Sequence, residues 1–337
     1  PMDDEGPATF EEGSKEKVIP GEGTYTVAPD GTVTFTPEKN FTGVGTGVTV
    51  KRVDKNGTPV TAKYTPTVTP VTPTAEPAET TDVQGVEQAK EVTFKPGKAT
   101  IDGVEKEVPI DTTSYKLLDE NGQPAASVEA KSPEGKVIGT YTVDKETGVV
   151  TFTPTDKSYT GKVQPANVQA EDKNGTKVKT TYTPTIVGVT PTATPAKSKD
   201  IQGKPQTGLP EFKGGTVTVN NEEKTVEIDE TKAPKLINPE TGEPTDEPVV
   251  IPGEGTYTIE DGKVKFQPEP QFTGTGEGVE VQRVDKNGTP VTAKYTPKVV
   301  PVTPPGEDKT SVGPKGQPQT GTPEFKGGSV KINGKEE

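Results

Sequence analysis

Short runs in which apolar and polar residues alternate, each closed by glycine or proline, recur along the whole chain. Tyr25/Val27, Tyr141/Val143 and Tyr257/Ile259 alternate with threonine, the period-two pattern of a strand with one buried and one wet face. A turn follows at Asp30-Gly31, Thr147-Gly148 and Asp261-Gly262, and then a return run at 32–37, 149–154 and 263–268 (TVTFTP, VVTFTP, KVKFQP). In these runs Val33/Phe35, Val150/Phe152 and Val264/Phe266 are expected to face a core, which predicts a β-hairpin in each copy. An aromatic-Thr-Gly triplet comes next (Phe41, Tyr159, Phe272), read as a ring packed from a loop. The glycines after it, at 43–47 and 274–278, lie between β-like segments. A dinucleotide loop needs a strand before and a helix after, so these glycines are read as bends or bulges.

A second hairpin signal gives the chain its period. RVDKNGTPVTAKYTP stands at 52–66 and again, letter for letter, at 283–297; a looser copy, EDKNGTKVKTTYTP, stands at 171–184. The aspartates Asp54, Asp172 and Asp285 are 118 and 113 residues apart, the self-similarity of a tandem array. Asn56-Gly57, Asn174-Gly175 and Asn287-Gly288 predict two-residue type I′ turns, which need positive φ at both positions. Val60, Ala62 and Tyr64 then alternate with Thr61, Lys63 and Thr65, as in a half-buried strand. Pro/Thr-rich text separates the copies and reads as semi-rigid linkers. The expected division is 1–73, the C-terminal part of a first repeat; linker 74–82; second repeat 83–191; linker 192–201; third repeat 202–304; linker 305–314; and 315–337, the opening of a fourth. A first repeat without its opening strands and a fourth without its body predict weak head-to-tail association. A version lacking 315–337 should sediment without it. No segment carries a capped 3.6-residue apolar stripe. The fold class is therefore all-β, tandem β-sandwich-like modules in an extended array.

Composition sharpens this picture. Leu, Ile, Val and Phe make up 64 of 337 residues and the net charge is only −13, so the chain meets the hydrophobicity side of the disorder signature but not the charge side. The alternation decides for folded modules with lean cores. With no Cys and no His, disulfides, thiolate metal sites and the commonest acid–base shuttle are excluded. No apolar run approaches a membrane span. The acidic balance argues against nucleic acid, and mixed Lys and Glu read as an ordinary solvated surface.

No nucleophile-and-base pair stands out, so the reading is not an enzyme and no cofactor or metal is expected. DKNG touches the start of a calcium loop, but its remaining ligands and distal Glu are missing. The structural hairpin turns are accordingly the singled-out residues: Asp54, Asn56, Gly57; Asp172, Asn174, Gly175; Asp285, Asn287, Gly288. In each the aspartate is expected to cap its own backbone.

Taken together, KPQTG…PEFKGG, NPETGEPTDEP, GEGTYT, KVKFQPEPQFTG and DKNGT…YTP resemble the fibril repeat of CshA-type surface adhesins, wall-attached proteins of streptococci and related Gram-positive bacteria. The likeness is tightest over 202–304 and loosest over 84–191. It implies stalk repeats that hold a distal adhesive region away from the cell, an extracellular location with wall attachment through other parts of the parent, and neighbouring repeats as the partners. Host matrix or other bacteria would be reached through the parent. Two rivals from other classes stand beside it: repeats that are themselves weak multivalent adhesins for host protein or glycan, and homophilic fibril contacts through sheet edges. PQTG at 205–208 and 318–321 and NPETG at 238–242 resemble a sortase signal, yet no apolar span or basic tail follows. They are read as turns.

Overall fold

The computed structural model describes residues 6–337. All its regular elements are β-strands, and no helix among the described residues is long and apolar enough to cross a membrane. Two compact units are present. Of the described residues, unit 1 comprises 6–82, 86–156 and 161–186, and unit 2 comprises 83–85, 157–160 and 187–337.

The third repeat, in unit 2, shows the plan most completely. Four strands form one sheet in the order Gln206–Gly208, Lys263–Pro268, Gly255–Glu260, Val249–Ile251. Tyr257 pairs with Phe266 and Ile259 with Val264, as the alternation predicts. The second sheet runs Ala196–Ile201, Pro290–Val300, Val279–Val284, Lys235–Ile237, Pro244–Thr245, with Gly274–Thr275 also on the long strand. Leu236, Val249, Tyr257, Val264, Phe266, Val279, Val281, Tyr295 and Val299 close one core between the sheets, with Leu209, Phe212 and Phe272 packed on it. Phe272 meets Phe266 edge-on, ring centroids 6.3 Å apart, the loop-packed aromatic the sequence suggests. A separate hairpin joins Gly215–Val219 to Glu222–Val226.

The second repeat, in unit 1, repeats both sheets: Gln88–Glu91, Val149–Pro154, Val137–Val143, Ser127–Lys131 in one, and Ala78–Val83, Lys177–Val187, Ala166–Glu171, Lys116–Leu118, Pro124–Ala125 in the other. Tyr141, Val150, Phe152, Val168 and Tyr182 are buried between them.

Several expectations change here. The linker text contains strands. Ala196–Ile201 pairs with Tyr295–Val300 in parallel over six residues, and Ala78–Val83 takes the matching edge of the second repeat. Both strands, AKSKDI and AETTDV, are proline-free and lie at a sheet edge directly after a proline, the place where proline can flank a ladder. PQTG at 205–208 is no turn, because Gln206–Gly208 pairs with Val264–Phe266. NPETG does turn, closed by the Gly242 amide on the Asn238 carbonyl at 2.8 Å. Finally, Val60 and Tyr64 of the first repeat are 50% and 38% exposed, whereas Tyr295 is fully buried. Gly208 packs on the Tyr295 ring, and no counterpart of that strand covers Tyr64 among the described residues.

Candidate functional site

Two constellations recur, and each begins with an acidic side chain. The first is the DKNGT turn. Asp54 Oδ1 accepts the amides of Asn56 (2.9 Å) and Thr58 (2.8 Å). Asp172 holds Asn174 and Thr176 at the same distances, and Asp285 holds Asn287 and Thr289 likewise. These bonds keep the Asp54 carboxyl below its ordinary pKa, the Thr58 amide contributing most. The turn type differs from expectation. Gly57, Gly175 and Gly288 have φ of +80°, +85° and +84°, but the asparagines are not at positive φ. The Gly57 amide donates to the Asp54 carbonyl at 3.0 Å, and the Asp54 amide to the Thr58 carbonyl at 2.9 Å. This is a three-residue loop, a type I turn followed by a left-handed glycine. The carboxylate bonds to the next amides and so favours ordinary helical dihedrals at Lys and Asn. Two-residue turns with both φ positive occur instead at Asp102-Gly103, Asn220-Asn221, Asp261-Gly262 and Asn333-Gly334. Asp172 and Asp285 are 2% and 1% exposed, because Ile110 and Ile228 bridge onto them.

The second constellation lies outside the hairpin turns that the sequence singles out. Glu22 and Glu254 are each only 6% exposed. Tyr25 donates its hydroxyl to Glu22 and Tyr257 to Glu254. The Thr46 amide donates to Glu22 Oε2 at 2.8 Å and the Glu277 amide to Glu254 Oε2 at 2.5 Å. The Gly47 amide reaches the Tyr25 hydroxyl at 3.3 Å. A Cβ on Gly45 would stand 2.6 Å from that hydroxyl, and one on Gly276 would stand 2.7 Å from Glu254 Oε1. The glycine run is therefore a cradle that lets backbone close over a buried carboxylate. Burial pushes the Glu22 carboxyl up, but the Tyr25 hydroxyl and the amides outweigh it and leave it below its ordinary value. The second repeat replaces the parts together: Ile138 stands at the glutamate position and Val163 at the first cradle glycine, both buried. There Tyr141 donates to the Gln164 carbonyl at 2.7 Å. The clue in the sequence was this joint replacement of GEGTY and GxG in one copy.

A hydroxyl–amide staple links the two sheets. Ser198 donates to Gln206 Oε1 at 2.5 Å and meets the Tyr295 hydroxyl at 2.6 Å, while Gln206 Nε2 donates to the Lys298 carbonyl at 3.0 Å. Thr80, Gln88, Tyr182 and the Thr185 carbonyl repeat the arrangement. Among the described residues no group of three or more Asp or Glu is placed to hold a metal ion. What these constellations do chemically is pair buried polar groups with one another, except that Asp172 Oδ2 and Asp285 Oδ2 stay buried without a hydrogen-bond partner.

They also predict an alkaline limit. Burial, then the bond to Glu22, push Tyr25 up to about 12, and burial raises Tyr141, Tyr182, Tyr257 and Tyr295. Above an ordinary tyrosine pKa of about 10 the unfolded chain loses protons that the folded chain keeps, so stability is whole below that pH and falls as pH rises. Tyrosinate absorbance should appear in a steep step that coincides with loss of the β circular-dichroism signal. A gradual titration with the fold intact contradicts this.

The pattern that defines the Surface adhesin CshA repetitive domain matches residues 1–68, 70–186 and 188–299. The chain is similar to repeat domain 13 of the fibrillar adhesin CshA from Streptococcus gordonii, solved by NMR, with 70% identity over 20% of this chain and 85% of that one, at a TM-score of 0.14. It also aligns with Drosophila N-cadherin EC1-3, at 14% identity, coverage of 89% and 90% and a TM-score of 0.28. The I9–I11 tandem of titin aligns at 11% identity, coverage of 89% and 90% and a TM-score of 0.31. No curated protein matches the chain. Three successive matches over most of the sequence place this chain in the CshA surface-adhesin repeat family.

Proposed function

We propose that these repeats are the spacer segments of a bacterial surface fibril, attached to the cell wall through other parts of the parent protein and carrying a distal adhesive region away from it. The observation that carries the reading is the pairing of the first and last strands of the third repeat. Ala196–Ile201 and Tyr295–Val300 lie side by side and parallel. Tension that enters before Ala196 and leaves after Val300 pulls the two strands in opposite directions along their length. Their slanted ladder is then loaded in shear, all bonds together, instead of unzipping one by one. That is the geometry a load-bearing repeat requires.

The surface chemistry supports the same reading. Tyr25, Tyr141, Tyr182, Tyr257, Tyr295, Phe10, Phe152 and Phe266 are fully buried, and Arg283 is bound to Glu230 and to the Asp229 and Lys232 carbonyls. Protein-binding hot spots favour Trp, Tyr and Arg, and here five of the eight tyrosines serve the core. The repeat bodies are 1–73, 83–191 and 202–304, and the second and third each take an edge strand from the Pro/Thr text, Ala78–Val83 and Ala196–Ile201. The reading is not enzymatic, and the partners are neighbouring repeats, with host matrix or other bacteria engaged through the parent. The test is surface-binding kinetics of the chain against host matrix proteins, glycans and itself. No saturable binding is expected; saturable binding to one host ligand would make the repeats adhesins, and self-binding would make them fibril contacts.

A further inference from the structure

Unit 2 contains, besides the third repeat, the tripeptide Val83-Gln84-Gly85, and it is seated in a built site. Val83 joins Val189 and Val226 in a small buried cluster against which Val217 packs, apart from the main core. Gln84 is 4% exposed. Its amide donates to the Val187 carbonyl at 2.8 Å, its Oε1 accepts the Val189 amide at 3.3 Å, and its carbonyl accepts Asn287 Nδ2 at 2.8 Å. Gly85 lies so close that a Cβ there would fall 2.1 Å from Asn287 Oδ1. Below the valine cluster, Gly215 lets the 215–226 hairpin rest on the Thr190 carbonyl, 2.4 Å from where its Cβ would be.

The asparagine side chain is surplus to its own turn. Asp285 and the left-handed Gly288 hold the loop, and Asn56, in the same loop of the first repeat, is exposed. The pieces recur elsewhere. Ile201-Gln202-Gly203 repeats the tripeptide, with the Gln202 amide on the Val300 carbonyl at 2.9 Å and with Ile332, in the next hairpin of this kind, buried. The threonine–glycine contact under the hairpin returns at Thr72/Gly97 and Thr303/Gly328.

We infer that the Val/Ile-Gln-Gly tripeptide at the head of the second and third repeats is a docking ligand for the repeat that follows, read by the apolar residues of its first hairpin and, for Val83-Gln84-Gly85, by the asparagine of its DKNGT turn. The partner is thus a second copy of the same module, and the recognition is apolar plus one amide-to-carbonyl bond. The inference rests on the spacer reading, since it supplies the continuity a load-bearing array uses.

The test is residue-resolved hydrogen exchange on the full chain with two matched pairs of variants. Gly85 and Gly203 share φ of +82°, yet a Cβ on Gly203 meets nothing within 4 Å. Gly85→Ala and Gly203→Ala therefore carry the same backbone strain and differ only in the contact. Asn287→Ala and Asn56→Ala remove the same turn residue with and without the bond. Exchange at the Gln84 and Val189 amides is expected to quicken at least about tenfold in Gly85→Ala and Asn287→Ala. It should stay unchanged in Gly203→Ala and Asn56→Ala, with Gly255–Glu260 protected throughout. Equal behaviour within the pairs overturns the proposal, as does loss of protection across Gly255–Glu260, which would mark a general folding role. Ligand binding by the repeats would sink the spacer reading and leave these rates as they are.

Discussion

Phe266→Ala is expected to cost the third repeat about 3–5 kcal/mol, the largest loss from any single substitution proposed. The ring is fully buried, 4.6 Å from the Tyr257 ring centre, and it lies on Gly255, where a Cβ would approach Phe266 Cε2 to 2.7 Å. A glycine neighbour has no side chain to swing into the vacated space, so the cavity stays open, and open cavities give the upper end of the range. Gly139 lies under Phe152 and Gly23 under Phe35 in the same way, so Phe152→Ala should behave alike in the second repeat. Domains of this size have about 5–15 kcal/mol in total, so a large share of the repeat's stability is at stake. Urea unfolding followed through the amides of the Gly255–Glu260 strand measures it; a loss under about 1 kcal/mol would show that the sheets do not depend on this ring.

The second large effect is at the buried glutamate. Glu254→Ala removes the acceptor for the Tyr257 hydroxyl and the amides of Glu277 and Gly278. It leaves enclosed donors behind, at a cost of about 2–4 kcal/mol. Gly276→Val alone should also destabilise, because its Cβ falls against Glu254 Oε1. The pair Glu254→Ile with Gly276→Val copies the second repeat, in which Ile138 and Val163 are both buried and Tyr141 donates to the Gln164 carbonyl. The double variant should recover stability relative to the sum of the singles, a coupling of at least about 1 kcal/mol. Additive losses would mean that the two solutions are not interchangeable. Acid tells the carboxylate and apolar versions apart. Glu22 has its pKa lowered in the fold, so its contribution is present above the ordinary carboxylate pKa and is lost as pH falls through the lowered one. The second repeat has no such term at this position.

These two sites show what the sequence makes legible. Phe266 was readable because it obeys a local rule, alternation beside Asp261-Gly262, whose both-positive φ values build the hairpin that pairs it with Tyr257. Glu254 was not, because a charged residue ahead of Gly-Thr-Tyr looks like solvated surface. Its burial depends on a glycine cradle about twenty residues on, and only the matched exchange in the middle copy hints at it. The parallel pairing of Ala196–Ile201 with Tyr295–Val300 was equally hidden, since nothing local specifies a partner nearly a hundred residues away and proline-rich flanks suggest a linker. Gln206 resembled part of a turn for the same reason, its role as an inter-sheet staple being set by Ser198 and Tyr295. In the DKNGT turns, position was legible and dihedrals were not, because the Asp54 carboxylate, by capturing the amides of Asn56 and Thr58, overrides the Asn-Gly preference.

The claim that these are load-bearing spacers is tested most directly by stretching single chains. Parallel terminal strands in shear predict discrete force peaks, each releasing about 400 Å of contour less the folded length, from about 115 residues at ~3.6 Å apiece. A Ser198→Ala, Gln206→Ala variant should lower the peak from the third repeat only. Smooth extension without peaks, or yielding in small steps at low force, would contradict the account, because strands that unzip cannot hold an adhesive region out against a pull.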